Sequence, residues 1–273
     1  MNRPESPSRL IPIPDVQAER DERRIAIERV GIKGLRYPLP FADGDAPAQA
    51  TIATCNVSVT LPESQKGTHM SRLVALLEER AAPGAAPLTV ANLRDLLDDL
   101  VVRLDAPGGR IELAFPYFVR KTAPVSGVAS LVDFDVRLTA ELADGHYTST
   151  IGIAAPVTSL CPCSKEISAY GAHNQRSLVT VTVRPRASVL VTELVRIAEE
   201  EASCELYGIL KRADEKYVTE RAYDNPRFVE DLVRGVAVRL AGDGRFSAYT
   251  VEAENFESIH NHSAYARIAR GWD

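Results

Sequence analysis

The stretch Val132-Asp-Phe-Asp-Val-Arg-Leu-Thr-Ala-Glu-Leu142 alternates apolar and polar side chains without a break. A period of two puts the apolar set on one face of a β-strand and the charged set on the other. Strands of this kind are typical of an antiparallel sheet that packs a core on one side only. Two more segments alternate as clearly, 53–61 and 111–119. Shorter strand candidates lie at 25–39, 147–154, 178–184, 246–253 and 264–269.

Helical patterns separate these strands in a fixed order. Apolar residues spaced for one face predict helices near 70–77 and 93–104, between the second and third strands. In the second half a helix is predicted near 190–197. Another is predicted to open at Asn225-Pro226, with Asn as the N-cap and Pro at the first helical position. The element order is therefore β-β-α-α-β-β, twice over. This order indicates an α+β fold of antiparallel sheets carrying helices on one face.

The element order divides the chain into three parts. Residues 1–24 are polar and contain prolines, with no apolar signal core, so we interpret them as a flexible N-terminal arm. We expect a first module at 25–143 and a second module at 144–273. A four-stranded sheet leaves open edges. Closing a barrel with copies from other subunits would cover them, so we expect a homo-oligomer.

Composition excludes several classes of function. The formal net charge of -5 argues against a general nucleic-acid binder, whose surface should be basic. No apolar run approaches the roughly 20 residues needed to span a bilayer, so we expect no membrane partner. The four cysteines are scattered along the 273 residues, which is not a disulfide framework and suits a reducing cytoplasm.

The chemically most distinctive stretch is Ser159-Leu-Cys-Pro-Cys-Ser-Lys-Glu166. Pro162 between the two thiols favours a stiff loop over a strand, and loops carry function more often than cores do. A structural zinc site normally uses C-x-x-C pairs, which the chain lacks. Cys161 is therefore a buried small hydrophobe, a metal ligand or a nucleophile.

Two further segments hold candidate ligands. His173 lies in Gly171-Ala-His-Asn-Gln-Arg176, and Glu254-Asn-Phe-Glu-Ser-Ile-His-Asn-His262 contains carboxylates and two imidazoles. If the second segment continues a strand it is a solvated edge, whereas a bulge or turn would let Glu257 and His260 converge. Thiolate, imidazole and carboxylate together are the ligands of a catalytic transition-metal site.

Two glutamates have less distinctive surroundings. Glu215 lies in 210–220, a charged stretch that we interpret as a solvated connector. Glu230 falls about 120° from the centre of the apolar stripe of its predicted helix. The local pattern therefore places Glu230 on the flank or surface of that helix.

Six longer blocks carry a family resemblance. They are Gly31–Arg36, Gly67–Arg72, Ser159–Ser168, Tyr170–Ser177, Asp214–Glu220 with Ala222–Pro226, and Glu252–His262. In these blocks the chain resembles GTP cyclohydrolase I of the type IB class, over roughly residue 25 to the end. Leu73 and Ala213 depart from the family, which has Phe and Pro there, and neither is a presumed ligand.

The resemblance implies a fold, an assembly and a site. The fold is a tandem tunnelling fold, assembled as a homotetramer with active sites at subunit interfaces. By motif position, Cys161, His173 and Glu215 are the implied metal ligands, with His260 on the metal or beside it. Glu257 is the implied acid/base group. Glu230 is the implied purine anchor, accepting hydrogen bonds from the guanine N1–H and 2-amino group.

The reaction that the resemblance implies is the first step of tetrahydrofolate biosynthesis. Water opens the imidazole ring of GTP, formate leaves, and recyclisation gives 7,8-dihydroneopterin triphosphate. A divalent ion such as Mn²⁺, Fe²⁺ or Zn²⁺ can lower the pKa of water from 15.7 to about 7. Cys161, His260 and Glu257 are then the catalytic residues. Lys165 and Arg176 are candidates for binding the triphosphate, because they lie close to motif residues.

Two alternatives from other classes stay open at this point. Tunnelling-fold relatives include a nitrile reductase, in which a residue such as Cys161 would act as a nucleophile beside a nicotinamide cofactor. The other alternative is a non-enzymatic assembly module stabilised by a structural zinc, which metal removal would unfold.

Overall fold

The strands of the computed structural model, which describes residues 15–272, confirm the predicted α+β class. They span Ile27–Phe41 (β1), Gln49–Leu61 (β2), Gly109–Thr122 (β3), Ala129–Ala143 (β4), His146–Leu160 (β5), Asn174–Pro185 (β6), Cys204–Glu205 (β7), Phe246–Asn255 (β8) and Ala264–Arg270 (β9). Within the described residues they form one sheet in the order β1-β2-β3-β4-β5-β6-β8-β9, and β7 pairs with β5. All neighbouring strands are antiparallel.

The helices pack on one face of this sheet. They span Met70–Ala81 (α1), Leu93–Leu104 (α2), Pro162–Ile167 (α3), Val191–Glu201 (α4), Arg212–Asp224 (α5) and Val229–Gly242 (α6), and Val16–Ala18 is a short 3-10 helix. Helix α1 contacts β1, and α2 contacts β3 and β4, while α4 contacts β5 and α6 contacts β8 and β9. No helix between residues 15 and 272 is long and apolar enough to cross a bilayer.

The core lies between the helices and the apolar faces that the alternation predicts. On β4, Phe134, Val136 and Leu138 are at most 1% exposed, whereas Asp133 and Asp135 are exposed on the opposite face. Each such apolar side chain contributes about 1.5–3 kcal/mol when it is fully buried. A shift of the strand by one residue would move this whole set into solvent, so the register of β4 is strongly determined.

The sheet is continuous across the predicted module boundary at 143/144. Strand β4 pairs with β5 through Asp144-Gly145, where both residues have positive φ, 52° and 75°. This combination is what a two-residue hairpin turn requires. A carboxylate of the first half, Asp43, also accepts hydrogen bonds from the backbone N–H groups of Val191 and Thr192, at 2.8 and 3.0 Å. The division into 25–143 and 144–273 stays a prediction.

Of the predicted flexible arm at 1–24, residues 1–14 lie outside the described residues. Residues 15–24 contact the first half of the chain. Arg20 forms a β-bridge with Gln65, and Glu19 forms an ion pair with Lys66.

The predicted helix start at Asn225-Pro226 is wrong. Asn225 instead ends α5, and its side-chain amide donates to the Ala202 carbonyl at 2.8 Å. A residue that precedes proline is disfavoured in the helical region, so the chain leaves the helix there. Helix α6 begins at Val229, and the Phe228 N–H donates to the Asp231 carboxylate at 2.9 Å.

Two segments expected to be irregular are helical. The charged stretch at 210–220 forms most of α5, whose buried residues are Asp214 and Ala222. The loop expected at Cys161-Pro162-Cys163 is the start of α3, with Pro162 at its first position. The second half thus keeps the predicted β-β-α-α-β-β order but adds α3, β7 and α5.

Candidate active site

The pairing of β5 with β6 brings Cys161 and His173 together. The ladder runs as far as Leu160 opposite Asn174. Cys161 follows the first strand and His173 precedes the second, so the two residues face each other at the end of the hairpin. The Cys161 N–H donates to the His173 carbonyl at 3.1 Å, which continues the ladder by one bond.

Ser164 of α3 fixes both backbones. Its hydroxyl donates to the Cys161 carbonyl at 3.1 Å and accepts from the His173 N–H at 3.2 Å. The Ser164 N–H points at the Cys161 Sγ from 3.5 Å. The Cys161 thiol is at the N-cap of α3 and is only partly buried, so it remains accessible.

The His173 imidazole lies between two acceptors. Its Nδ1 is 2.8 Å from Gln175 Oε1 and 3.8 Å from Glu257 Oε2. The side chains of His173 and Glu257 are each 13% exposed. Only Gln175 is within hydrogen-bond distance of Nδ1, and the Glu257 carboxylate is just beyond it.

The turn between β8 and β9 supplies the second wall of the site. Strand β8 ends at Asn255, and the Phe256 N–H then donates to the Arg176 carbonyl at 3.0 Å. The following turn carries Glu257, His260 and His262. The two imidazoles stack with their centroids 5.0 Å apart, and both residues are exposed. The segment is a turn and not a solvated edge strand, which lets Glu257 and His260 converge.

The start of α6 supplies the third wall. The Arg227 N–H donates to the Leu160 carbonyl at 3.0 Å, so the residues that lead into α6 are attached to the end of β5. Glu230 follows in the first turn of the helix and is exposed, as its position on the helical wheel indicates.

These three segments enclose one pocket of about 310 Å³. Its lining residues are Cys161, His173, Gln175, Arg227, Phe228, Val229, Glu230, Asn255, Glu257, His260, His262 and Ala264. The volume is at the lower end of the ~300–1,000 Å³ typical of ligand sites. A larger cavity, of about 580 Å³, lies near Arg29, Arg110 and Glu141, and no Cys or His lines it.

Five of the residues predicted from sequence meet in this pocket. They are Cys161, His173, Glu230, Glu257 and His260. The other three do not line it. Glu215 is exposed on α5, and Arg176 is exposed on β6. Lys165 donates to the Tyr223 carbonyl at 2.5 Å, and its ammonium nitrogen lies 4.3 Å from the centroid of the Tyr223 ring.

The donor set of the pocket fits a divalent transition metal. A thiol and two or three imidazoles, with carboxylates nearby, suit Mn²⁺, Fe²⁺ or Zn²⁺. Among residues 15–272, however, no three Cys, His, Asp or Glu side chains are placed close enough together to hold an ion.

Three polar lining residues were not singled out from the sequence. Gln175 is 8% exposed and contacts His173. Asn255 is 3% exposed, and its Oδ1 has no hydrogen-bond partner within the described chain; the same is true of the buried Nε of Arg227. Gln175 and Asn255 lie inside two of the resemblance blocks and Arg227 directly follows a third, and this placement is the only signal that the sequence offers.

Two other thiols, those of Cys55 and Cys204, are fully buried. Burial raises the pKa of the Cys55 thiol to about 11, and burial together with the neighbouring Glu205 carboxylate raises the pKa of Cys204 to about 11. Thiols of this kind are inert as nucleophiles and as ligands near neutral pH. The candidates for a reactive or metal-binding thiol are therefore Cys161 and Cys163.

The fold belongs to a known architecture. The chain superposes on uricase from Arthrobacter globiformis with a TM-score of 0.50 and 10% identity, over 90% of this chain and 94% of that one. This likeness concerns the fold alone. It confirms the predicted tunnelling fold, here combined with a pocket of thiol, imidazole and carboxylate groups.

The sequence comparisons identify the family within that architecture. The model of the family described as type I GTP cyclohydrolase folE2 matches residues 13–266. A protein of Cupriavidus metallidurans named GTP cyclohydrolase FolE2 2 is 61% identical, over 94% of each chain. GTP cyclohydrolase FolE2 of Burkholderia pseudomallei is 59% identical, over 94% of this chain and 96% of its own. The chain belongs to this family of GTP cyclohydrolases, which confirms the resemblance seen in the six sequence blocks.

Proposed function

We propose that the pocket between the β5–β6 hairpin, the β8–β9 turn and α6 hydrolyses GTP to 7,8-dihydroneopterin triphosphate and formate. As a member of its family the chain is a GTP cyclohydrolase of folate biosynthesis, not a nitrile reductase or an assembly module. The observation that carries the site assignment is the convergence of Cys161, His173, Glu230, Glu257 and His260 on one pocket.

Glu230 orients the purine. Its carboxylate accepts hydrogen bonds from the guanine N1–H and 2-amino group, two donors that match the two oxygens of a carboxylate. The imidazole ring of guanine lies at the other end of the fused purine ring system. Binding at Glu230 therefore directs C8, the carbon that water attacks, toward Cys161 and His173 across the pocket.

Glu257 and His260 move the protons. Glu257 is largely buried beside His173, where it takes a proton from the water that adds to C8 and returns it to the ring nitrogen as the C8–N bond breaks. His260, exposed on the same turn, serves the later release of formate, when a second group must exchange protons with solvent. Positioned acid–base groups of this kind contribute about 10²–10⁴-fold to a rate.

Cys161 and His173 would hold a divalent metal, with His260 or Glu215 completing the set. When bound there, a Mn²⁺, Fe²⁺ or Zn²⁺ ion would act as a Lewis acid that makes water a usable nucleophile near neutral pH. The order of affinities for these ions does not decide which of them occupies such a site in a cell.

The position of Glu215 supports an oligomer. Lys165, one turn after Cys161, contacts Tyr223 at the C-terminal end of α5, whereas Glu215 lies in its first turn. Glu215 and Tyr223 are about 12 Å apart along the helix axis, since an α-helix rises ~1.5 Å per residue. Glu215 is exposed and does not line the pocket of its own chain. We therefore propose that it reaches a metal in a neighbouring subunit, in a homotetramer.

Arg227 is a better candidate for a phosphate contact than Lys165 or Arg176. It is the one Lys or Arg among the described lining residues, and its buried Nε has no partner there. Lys165 is already engaged by Tyr223. A guanidinium can bind phosphate oxygens with two parallel hydrogen bonds. We therefore add Arg227 to the proposed substrate-binding residues, ahead of Lys165 and Arg176.

We assign the reaction to the cytoplasm, where the free cysteines of the described chain would stay reduced. The test of the proposed function is anaerobic incubation of metal-stripped protein with GTP, with and without Mn²⁺, Fe²⁺ or Zn²⁺. Formate and the fluorescence of the oxidised pterin are measured together. Metal-dependent formate with equal pterin supports the proposal. Formate without pterin would limit the proposal to ring opening. The absence of both products would refute it.

A further inference from the structure

Gln175 makes a contact that the proposed reaction does not by itself require. Its Oε1 lies 2.8 Å from His173 Nδ1, and the residue is 8% exposed. It stands on β6 opposite Ser159 of β5, within a regular ladder. The next inward residue, Ser177, donates its buried hydroxyl to Ser159 at 2.9 Å. A strand holds a side chain more rigidly than a loop does, so this contact is built into the sheet.

We propose that Gln175 is a positioning residue that fixes the tautomer of His173. An amide oxygen only accepts, so the neutral imidazole must carry its proton on Nδ1. The lone pair is then on Nε2, on the far side of the ring, where it is free to bind a metal ion. This inference rests on the proposed function, in which His173 is a ligand. A partner on the second ring nitrogen is the usual means of orienting a metal-binding histidine.

The same contact keeps Glu257 available. The Glu257 carboxylate is 3.8 Å from the same Nδ1, so it is the next acceptor in line. A carboxylate in that position would bind the imidazole proton more strongly than an amide does, and would then be unable to exchange protons with the substrate. Gln175 satisfies Nδ1–H with a neutral acceptor. His173 is thereby oriented without using the acid/base group.

The first test is metal affinity, measured by competition with a chromophoric chelator for Zn²⁺ and Co²⁺. Gln175→Met keeps the side-chain length and removes the acceptor, and it should weaken binding by about 10- to 100-fold. Gln175→Glu keeps an acceptor and should stay within a few-fold of the unmodified protein. Gln49→Met is the matched control, because Gln49 is also a hydrogen-bonded strand glutamine but lies outside the pocket. Equal affinity in Gln175→Met and Gln49→Met would overturn the proposal.

The second test needs no variant. The chain contains five histidines, so the ring nitrogens of ¹⁵N-histidine-labelled, metal-free protein can be assigned by NMR. The proposal requires a protonated Nδ1 and a bare Nε2 at His173, and the opposite tautomer would overturn it. This test also separates the two proposals. If the unmodified protein binds no metal at Cys161, the metal part of the proposed function fails, and the tautomer of His173 is still decided.

Discussion

Oligomers that mix two inactive variants would show in which subunit Glu215 acts. Cys161→Ala removes the thiol from the pocket, and Glu215→Ala removes the carboxylate from the far end of α5. Within one chain Glu215 lies about 12 Å along α5 from Tyr223, the residue that Lys165 contacts. A zinc–ligand bond is only about 2.0–2.3 Å long. In the proposed assembly each site therefore combines Cys161 of one subunit with Glu215 of another.

The expected recovery follows from this geometry. In a symmetric interface each subunit gives its pocket to one site and its α5 to the other. When the two variants mix at random in equal amounts, about one site in four has an intact Cys161 and an intact Glu215. The mixture should thus regain about a quarter of the unmodified activity, whereas each variant alone should be nearly inactive.

The assay is formate release from GTP by co-expressed chains purified through two different tags. Two control mixtures define the scale. Cys161→Ala with His173→Ala cannot recover, because both changes lie in the same pocket. Unmodified chain with Cys161→Ala should give about half of the full activity. Circular dichroism and size-exclusion chromatography check that every variant folds and assembles.

Two results would refute the reasoning. If Glu215→Ala alone retains full activity and metal, Glu215 is not a ligand. If the Cys161→Ala and Glu215→Ala mixture stays inactive while the second control gives half activity, Glu215 acts in the pocket of its own chain. The second result would mean that α5 takes another position when the metal binds.

Three further changes test single residues. Glu257→Gln should keep metal affinity and lower kcat by about 10²–10⁴-fold, since it removes proton transfer only; parallel metal titration and formate assays check this. Arg227→Met should weaken GTP binding by about 10- to 100-fold and leave guanosine binding unchanged, because the lost hydrogen bonds are to phosphate; equal losses for both ligands would contradict a phosphate contact. Burial would raise the pKa of Asp214, but hydrogen bonds from Ser126 and backbone N–H groups outweigh burial and lower the pKa. Its stabilising effect is therefore complete above about pH 4 and falls as the pH decreases further. Urea unfolding across that range should show a weaker pH dependence for Asp214→Asn.

The elements of the fold that can be predicted from sequence are those with a regular local pattern of apolar residues. On β4 the alternation alone identifies Phe134, Val136 and Leu138 as core, and the structure buries all three. Helix α5 has no such signal, since Asp214 and Ala222 are its buried residues. The Asp214 carboxylate accepts from the N–H groups of Val125 and Ser126 and from Lys211 N–H, each at 2.8 Å. Two of these partners are far away in sequence, so no pattern in 210–220 predicts the helix start.

The same distinction applies to the site. Motif blocks identified Cys161, His173 and Glu257 as chemical groups, but their convergence depends on the β5–β6 register and on a turn after Asn255. Gln175 alternates along β6 like an ordinary inward residue. Its proposed role depends on His173, which precedes the strand and turns back over it. This places His173 Nδ1 2.8 Å from Gln175 Oε1. Such contacts are set by tertiary packing, so sequence pattern alone does not reveal them.

Every lining residue of the pocket comes from the second half of the chain, yet residues of the first half bind the starts of two helices of the second half. Asp43 caps α4 from the end of β1, and the β3–β4 turn at Val125 and Ser126 binds Asp214 at the start of α5. Because Glu215 is the next residue, any change in that turn alters its position before it alters the pocket. In the proposed assembly the first half would therefore contribute to catalysis by positioning Glu215 for a neighbouring subunit. Damage there should lower metal affinity while the contacts among Cys161, His173 and Gln175 stay intact.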